Sequence, residues 1–204
     1  MELNNDFEVS APIDEVWAVL TDVERIAPCL PGAQLQEIEG NEFRGVVKVK
    51  VGPITAQYQG AASLLEQDEA GHRAVLRAEG RDSRGAGNAS AEISAQLEVI
   101  EGGTKVTVTT DLKVTGKVAQ FGRGVMADVS RKLMAQFANN LSDLISSGPA
   151  DAAPEEATPE ARVVDAPEAE AVDLLGAAGA SVFKRLVPAL IAVAVVVVIV
   201  IALV

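Results

Sequence analysis

The sequence predicts an α+β fold: a curved antiparallel sheet wrapped around one long C-terminal helix, then a linker and a single C-terminal transmembrane helix. Three observations carry that expectation. Between residues 43 and 114 apolar and polar side chains alternate with period two, the mark of an antiparallel sheet with one wet face. Phe121, Val125, Val129, Leu133, Phe137, Leu141 and Leu144 recur at three to four residues and form one helical stripe. Leu186 to Val204 is a run of nineteen uncharged residues; as a helix it reaches about 28 Å, close to the ~30 Å hydrocarbon core of a bilayer.

The elements follow in order. Leu3 to Val9 alternates loosely and reads as an opening strand that ends at Ser10-Ala11-Pro12. Ser10 is placed to cap a helix, and Pro12 is tolerated in a first turn. Ile13, Val16, Trp17 and Leu20 then fall at helical spacing, and Thr21-Asp22 restarts a second short helix that Pro28, Pro31 and Gly32 stop. In the strand near 43–51, Phe43, Gly45, Val47, Val49 and Val51 share a face, and Gly52-Pro53 turns the chain. From Ile54 to Leu64 the even positions face in, and Asp68 to Gly71 makes a hairpin turn. Ala74, Leu76, Ala78 and Gly80 continue that face, as do Ala89 to Val99 and, after Gly102-Gly103, Val106 to Val114. The long helix runs from about Lys117 to Ile145; Gly122 and Gly124 either loosen its start or pack closely there.

Four regions result: a folded domain over 1–147, an acidic Ala/Pro/Glu linker over 148–172, a juxtamembrane segment over 173–185 and a span over 186–204. Of the net charge of −12, the stretch Ser146–Asp173 supplies eight acids against one Arg, about −7. Too few apolar residues stand there to fold it. The domain lacks the basic footprint that nucleic acid requires. Cys29 is the sole cysteine, so a disulfide framework and a cysteine metal site are excluded. Met1 to Val9 has no secretory pattern, and Lys184-Arg185 before the span orients the domain to the cytoplasmic side.

The sizes of the inward residues point to a site. Gly45, Ala56, Gly60, Ala62, Ala78, Gly80, Ala89, Ala91 and Ala95 all face the core, where large side chains normally fill space to a density of about 0.74. Either the long helix lies very close to the sheet, or an apolar hollow remains beneath it. A hollow would take a lipophilic guest. Its expected lining is Val47, Val49, Tyr58, Leu76, Ala91, Ile93, Leu97, Val108, Phe121, Val125, Val129 and Leu133, with Tyr58 as hydrogen-bond donor. Cys29, Leu30 and Pro31 form a candidate docking knob, and the glycine-rich turn from Gly80 to Gly87, with Arg81 and Arg84, a candidate gate. The only histidine, His72, is expected in a surface turn, and no catalytic set or metal cluster can be assembled around it.

Two stretches carry a family resemblance: Ala11-Pro12-Ile13-Asp14-Glu15-Val16-Trp17 with Leu20, and Pro28-Cys29-Leu30-Pro31-Gly32-Ala33. With Gly52-Pro53-Ile54 and Phe121-Gly122-Arg123-Gly124, they resemble the CoxG family, the G subunits of carbon monoxide dehydrogenase, over about residues 1–147. That family lies within the START-like, polyketide cyclase and lipid-transport superfamily. The resemblance implies the helix-grip fold, a hydrophobic cavity, and recruitment of a molybdenum hydroxylase such as carbon monoxide dehydrogenase to the cell membrane.

Span, linker and hollow together lead to the expectation of a membrane-tethered carrier. Its guest would be a respiratory quinone, menaquinone or ubiquinone, held without a covalent bond. The domain would bring the enzyme to the membrane and link it to the quinone pool. The alternative is a pure recruitment factor without ligand transport. A cyclase-type enzyme is a third reading; no inward acid/base pair supports it, and the chain is expected not to be an enzyme.

Overall fold

The computed structural model describes residues 1–51, 54–148, 162–163 and 172–173. The expected span over 186–204 lies outside them, as do the Gly52-Pro53 turn and most of the linker and juxtamembrane segment. Among the described residues no helix is long and apolar enough to cross a membrane.

The chain forms β1 (Glu2–Val9), α1 (Ile13–Thr21), α2 (Val23–Ile26), a 3-10 turn (Ala27–Cys29), β2 (Ala33–Glu39), β3 (Glu42–Val51), β4 (Ile54–Asp68), β5 (Arg73–Asp82), β6 (Asn88–Ile100) and β7 (Gly103–Val114). A second 3-10 turn (Val118–Phe121), α3 (Gly122–Ser146), β8 (Arg162–Val163) and β9 (Val172–Asp173) follow. The period-two alternation is realised as seven antiparallel strands in the order β1-β7-β6-β5-β4-β3-β2. At the β2 side the two short strands extend the sheet: β8 pairs β2 antiparallel, and β9 pairs β3 parallel.

Sequence reasoning missed β2. Ala-Gln-Leu-Gln-Glu-Ile-Glu has only three apolar residues and follows directly on the proline-rich turn, so its pattern is thin. A bulge between Leu35 and Glu37 breaks its period against β3 as well. The cap of α1 also differs: Pro12 takes the N-cap position with no side-chain hydrogen bond, and Ser10 lies outside the helix. Asp22 is a true cap, its carboxylate accepting from the Arg25 amide of α2 at 3.2 Å.

The stripe of α3 is spent on two cores. Towards its C-terminal end Leu141, fully buried, packs with Val16, Trp17, Val19, Cys29, Leu97 and Val106, while Phe137 meets Phe7 of β1 edge-on at 5.7 Å. Towards its N-terminal end Met126 and Val129 pack with Val51, Ala56 and Val118. Hydrogen bonds fix the helix at both levels: Asn5 Nδ2 donates to Ser130 Oγ at 2.8 Å, and Asn140 Nδ2 donates to the Cys29 carbonyl at 3.1 Å. Open space around Gly122 sets aside the close-packing reading there. Its φ of +72° with ψ 171° turns the 3-10 segment into the helix, a conformation that is almost glycine-only.

Candidate functional site

Register converts the small inward residues into a hollow. Gly45 pairs Gly60, Gly60 pairs Gly80, and Gly80 pairs Ala89, so one row across β3–β6 carries almost no side chain. The next row is Phe43, Ala62, Ala78, Ala91 and Leu112. Beyond it stands a row of large residues, Leu64, Leu76 and Ile93, which packs against a buried core. At Gly60 the strands approach so closely that a Cβ would run into the Glu79 carbonyl and the Gly80 backbone. At Gly45 and Gly60 the emptiness is therefore a backbone property, whereas a Cβ at Gly80 would meet the Tyr58 side chain first, at 3.3 Å.

The space above the trench measures about 380 Å³, within the range of small-molecule sites. Its roof is Leu20, Val23 and Ile26 of α1 and α2, with Ala27 and Leu30 of the turn that follows. Leu35 and Phe43 close the β2–β3 side. Among the described residues no side chain of α3 lines it. This hollow lies beneath the two short helices, whereas the expectation placed one beneath the long helix, whose residues pack in both cores.

Of the twelve expected lining residues, Val47, Tyr58, Leu76 and Ala91 line the space. Leu97 and Val108 are buried in the first core, and Ile93 packs against it. Val129 is buried in the second, with Val49, Phe121, Val125 and Leu133 against it. Residues 20–35 were missed as lining because facing across the fold is a tertiary fact. Their apolar spacing predicted burial without saying against what.

Tyr58 is the aromatic hydroxyl at this site. Burial, and then the negative charge of Asp82, push its phenol up, so it stays protonated and can donate. Asp82, paired with Tyr58 across β4–β5, has its own carboxyl held below the usual range, first by the Ala86 amide and then by that of Arg84. Those amides donate at 3.1 and 2.9 Å. The same loop is tied to β4 and to residues following β7, with the Ser83 and Lys117 amides donating to the carbonyls of Gln57 and Ala86. These hydrogen bonds brace the turn named above as a candidate gate.

Two apolar residues of the lining are exposed, and Gln34, Arg44, Glu79 and Ser90 are polar members of it. Leu30 is 44% exposed and Val47 is 42% exposed, and both line the space. Of the expected docking knob, Leu30 is the exposed member and Pro31 is half-buried. Cys29 is buried in the first core, where desolvation pushes its thiol up, so it cannot present itself to a partner. His72 stands in its hairpin turn with φ +47°, edge-on to Trp17 at 5.6 Å and with Nε2 3.3 Å from Asp14 Oδ1. It does not line the hollow. Among the described residues no group of three His, Cys, Asp or Glu side chains could hold a metal.

A sequence model of the carbon monoxide dehydrogenase G subunit (CoxG) matches residues 6–146. No curated protein matches the chain. Among solved structures, a conserved protein from Geobacillus kaustophilus aligns with a TM-score of 0.65 at 21% identity, over 72% of this chain and 96% of that one. The Zhui aromatase/cyclase from Streptomyces sp. R1128 aligns at 0.52 and 18% identity, over 74% and 98%. The protein TTHA0849 from Thermus thermophilus aligns at 0.52 and 14% identity, over 73% and 100%. At these identities the likeness establishes the architecture, a helix-grip fold.

Proposed function

Because the chain belongs to the CoxG family of carbon monoxide dehydrogenase G subunits, we propose that it is a membrane-held accessory protein whose hollow carries a respiratory quinone for a carbon monoxide dehydrogenase-type molybdenum hydroxylase. The observation that carries this reading is the trench of glycine and alanine rows, roofed by Leu20, Val23 and Ile26 and open at Leu30 and Val47. A soluble oxidoreductase cannot easily reach a quinone buried in lipid, and a tethered apolar container removes that obstacle. Tyr58 would donate to a quinone carbonyl. A guest burying about 200 Å² of apolar surface gains about 5 kcal/mol over water. The bilayer offers similar burial, so uptake depends on the hydroxyl contact and on the partner enzyme. The apolar run over 186–204 would hold the chain in the cell membrane, with the domain on the cytoplasmic side.

The test fills the trench. Ala91→Trp and Ala62→Trp place an indole where the guest would lie. The full chain and both variants are purified from membranes and extracted for mass spectrometry. Quinone is expected at near one per chain in the parent and at less than a tenth of that in the variants. Equal quinone in all three preparations overturns the carrier reading. If the filled variants also still support electron transfer from the enzyme, the protein is a mooring only.

A further inference from the structure

Charge is sorted along the sheet. One end holds the hairpin turns and the β1–α1 connection, and its stretches 8–15, 37–44, 66–73 and 98–105 carry eleven acids and three bases. They meet there: Thr104 Oγ1 donates to the Ala11 carbonyl, His72 Nε2 lies 3.3 Å from Asp14 Oδ1, and the Leu64 amide donates to the Asn41 carbonyl. The opposite end lies beyond the row of Gly45, Gly60, Gly80 and Ala89. Its stretches 46–51, 54–59, 81–88 and 115–124 carry one acid, Asp82, and six bases, of which Lys50 is already engaged. The net charge of −12 hides this sorting, which emerges only when the strands are set in register.

The bases of that end are also uncommitted. Elsewhere Arg44, Arg73, Arg77, Lys105 and Arg131 each sit in an ion pair. Among the described residues Lys48, Arg81, Lys117 and Arg123 sit in none, and Arg84 acts on Asp82. Arg81, Arg84, Lys117 and Arg123 are exposed. Backbone contacts gather them: Lys48 pairs Gln57, whose carbonyl accepts from the Ser83 amide, and the Ala86 carbonyl accepts from the Lys117 amide. The hollow opens at the same end. Val47 stands two residues past Gly45 and pairs Ala33, whose amide donates to the Leu30 carbonyl, while the Lys48 amide donates to the Gly32 carbonyl at 2.8 Å. The exposed lining residues Leu30 and Val47 therefore adjoin Lys48.

We infer that this end of the domain docks on an anionic lipid surface, with the mouth of the hollow turned toward the lipid. Uncommitted bases beside exposed apolar side chains match a bilayer, which presents negative headgroups over hydrocarbon. The choice of lipid as the occupant rests on the carrier reading above, because a guest drawn from the bilayer would enter at this mouth. The same surface repels the acidic end, so the sorted charge fixes which way the domain faces. Docking of this kind is reversible and salt-sensitive, since exposed charges act over about 8 Å at physiological ionic strength.

The experiment is hydrogen exchange on the full chain with vesicles of phosphatidylcholine, alone or mixed equally with phosphatidylglycerol. Amides in 28–33, 81–87 and 115–121 are expected to exchange about three-fold slower or more with the anionic vesicles, and those in 39–42 and 98–103 to stay unchanged. The slowing is expected to vanish at about 1 M salt, where screening acts over about 3 Å. The Arg81→Ser/Lys117→Ser/Arg123→Ser variant is expected to lose it while its circular dichroism spectrum stays that of the parent. Equal rates with the two vesicles, slowing at both ends, or slowing that survives in salt or in the variant overturns the docking. Slowing that appears only when the partner enzyme is added assigns the end to an acidic protein surface and overturns it too. Flotation with neutral vesicles and extracted quinone are measured on the same preparations. Docking that fails while the chain floats and holds quinone refutes only the docking, and quinone absent while the slowing stays refutes only the carrier.

Discussion

Asp82 shows how one carboxylate orders a loop, chiefly through backbone amides and with the charge of Arg84 beside them. Its folded-state pKa lies below the ordinary value, so its contribution to stability is complete above about pH 4, and it is lost as pH falls through the folded value. Asp82→Asn is expected to remove part of that acid limb, measured as the slope of Tm between pH 5 and 3; an unchanged slope refutes the assignment. Leu141 and Leu30 make a second contrast. Leu141 is 0% exposed at the centre of the first core, and Leu141→Ala is expected to cost about 2–5 kcal/mol in urea unfolding. Leu30→Ser, at the mouth, is expected to stay within about 0.5 kcal/mol. Both leucines are equally apolar in sequence. Only the fold tells that one is core and the other rim.

Among the elements, the strands from β3 to β7 and the long helix were legible because each repeats its period many times. β2 was not: seven residues with a bulge leave too few repeats to read. The start of α3 was legible only as two glycines, and the structure separates their roles. Gly122→Ala forces a side chain into a nearly glycine-only conformation and is expected to cost about 1–3 kcal/mol. Gly124 has open space around it inside the helix, so Gly124→Ala is expected to stabilise by about 0.5–1 kcal/mol. Thermal unfolding of the two variants should move Tm in opposite directions; a shift of the same sign refutes the distinction. The site was legible in half. Alternation told which residues face inward and that many are small, but not their register. The two empty rows exist because Gly45, Gly60 and Gly80, and Ala62, Ala78 and Ala91, stand opposite one another.

At the scale of the whole molecule, α3 is anchored in both cores, while the short helices share the first core and also roof the hollow. If the chain anchors its partner enzyme as proposed, truncating it after Gly148 is expected to release that enzyme from membranes, while the domain keeps its fold by circular dichroism. Enzyme that stays membrane-bound after the truncation would refute the anchoring role. The contrast between bare main chain and lining side chains bears on how such a protein can diversify. Where neighbouring main chains touch, as at Gly60, mutation has almost no room to act. On the proposed carrier reading, change in what the hollow accepts falls to lining side chains such as the alanine row and Leu20, Val23 and Ile26 overhead. Related proteins that accept bulkier or slimmer cargo should differ at those positions and keep the bare glycine floor.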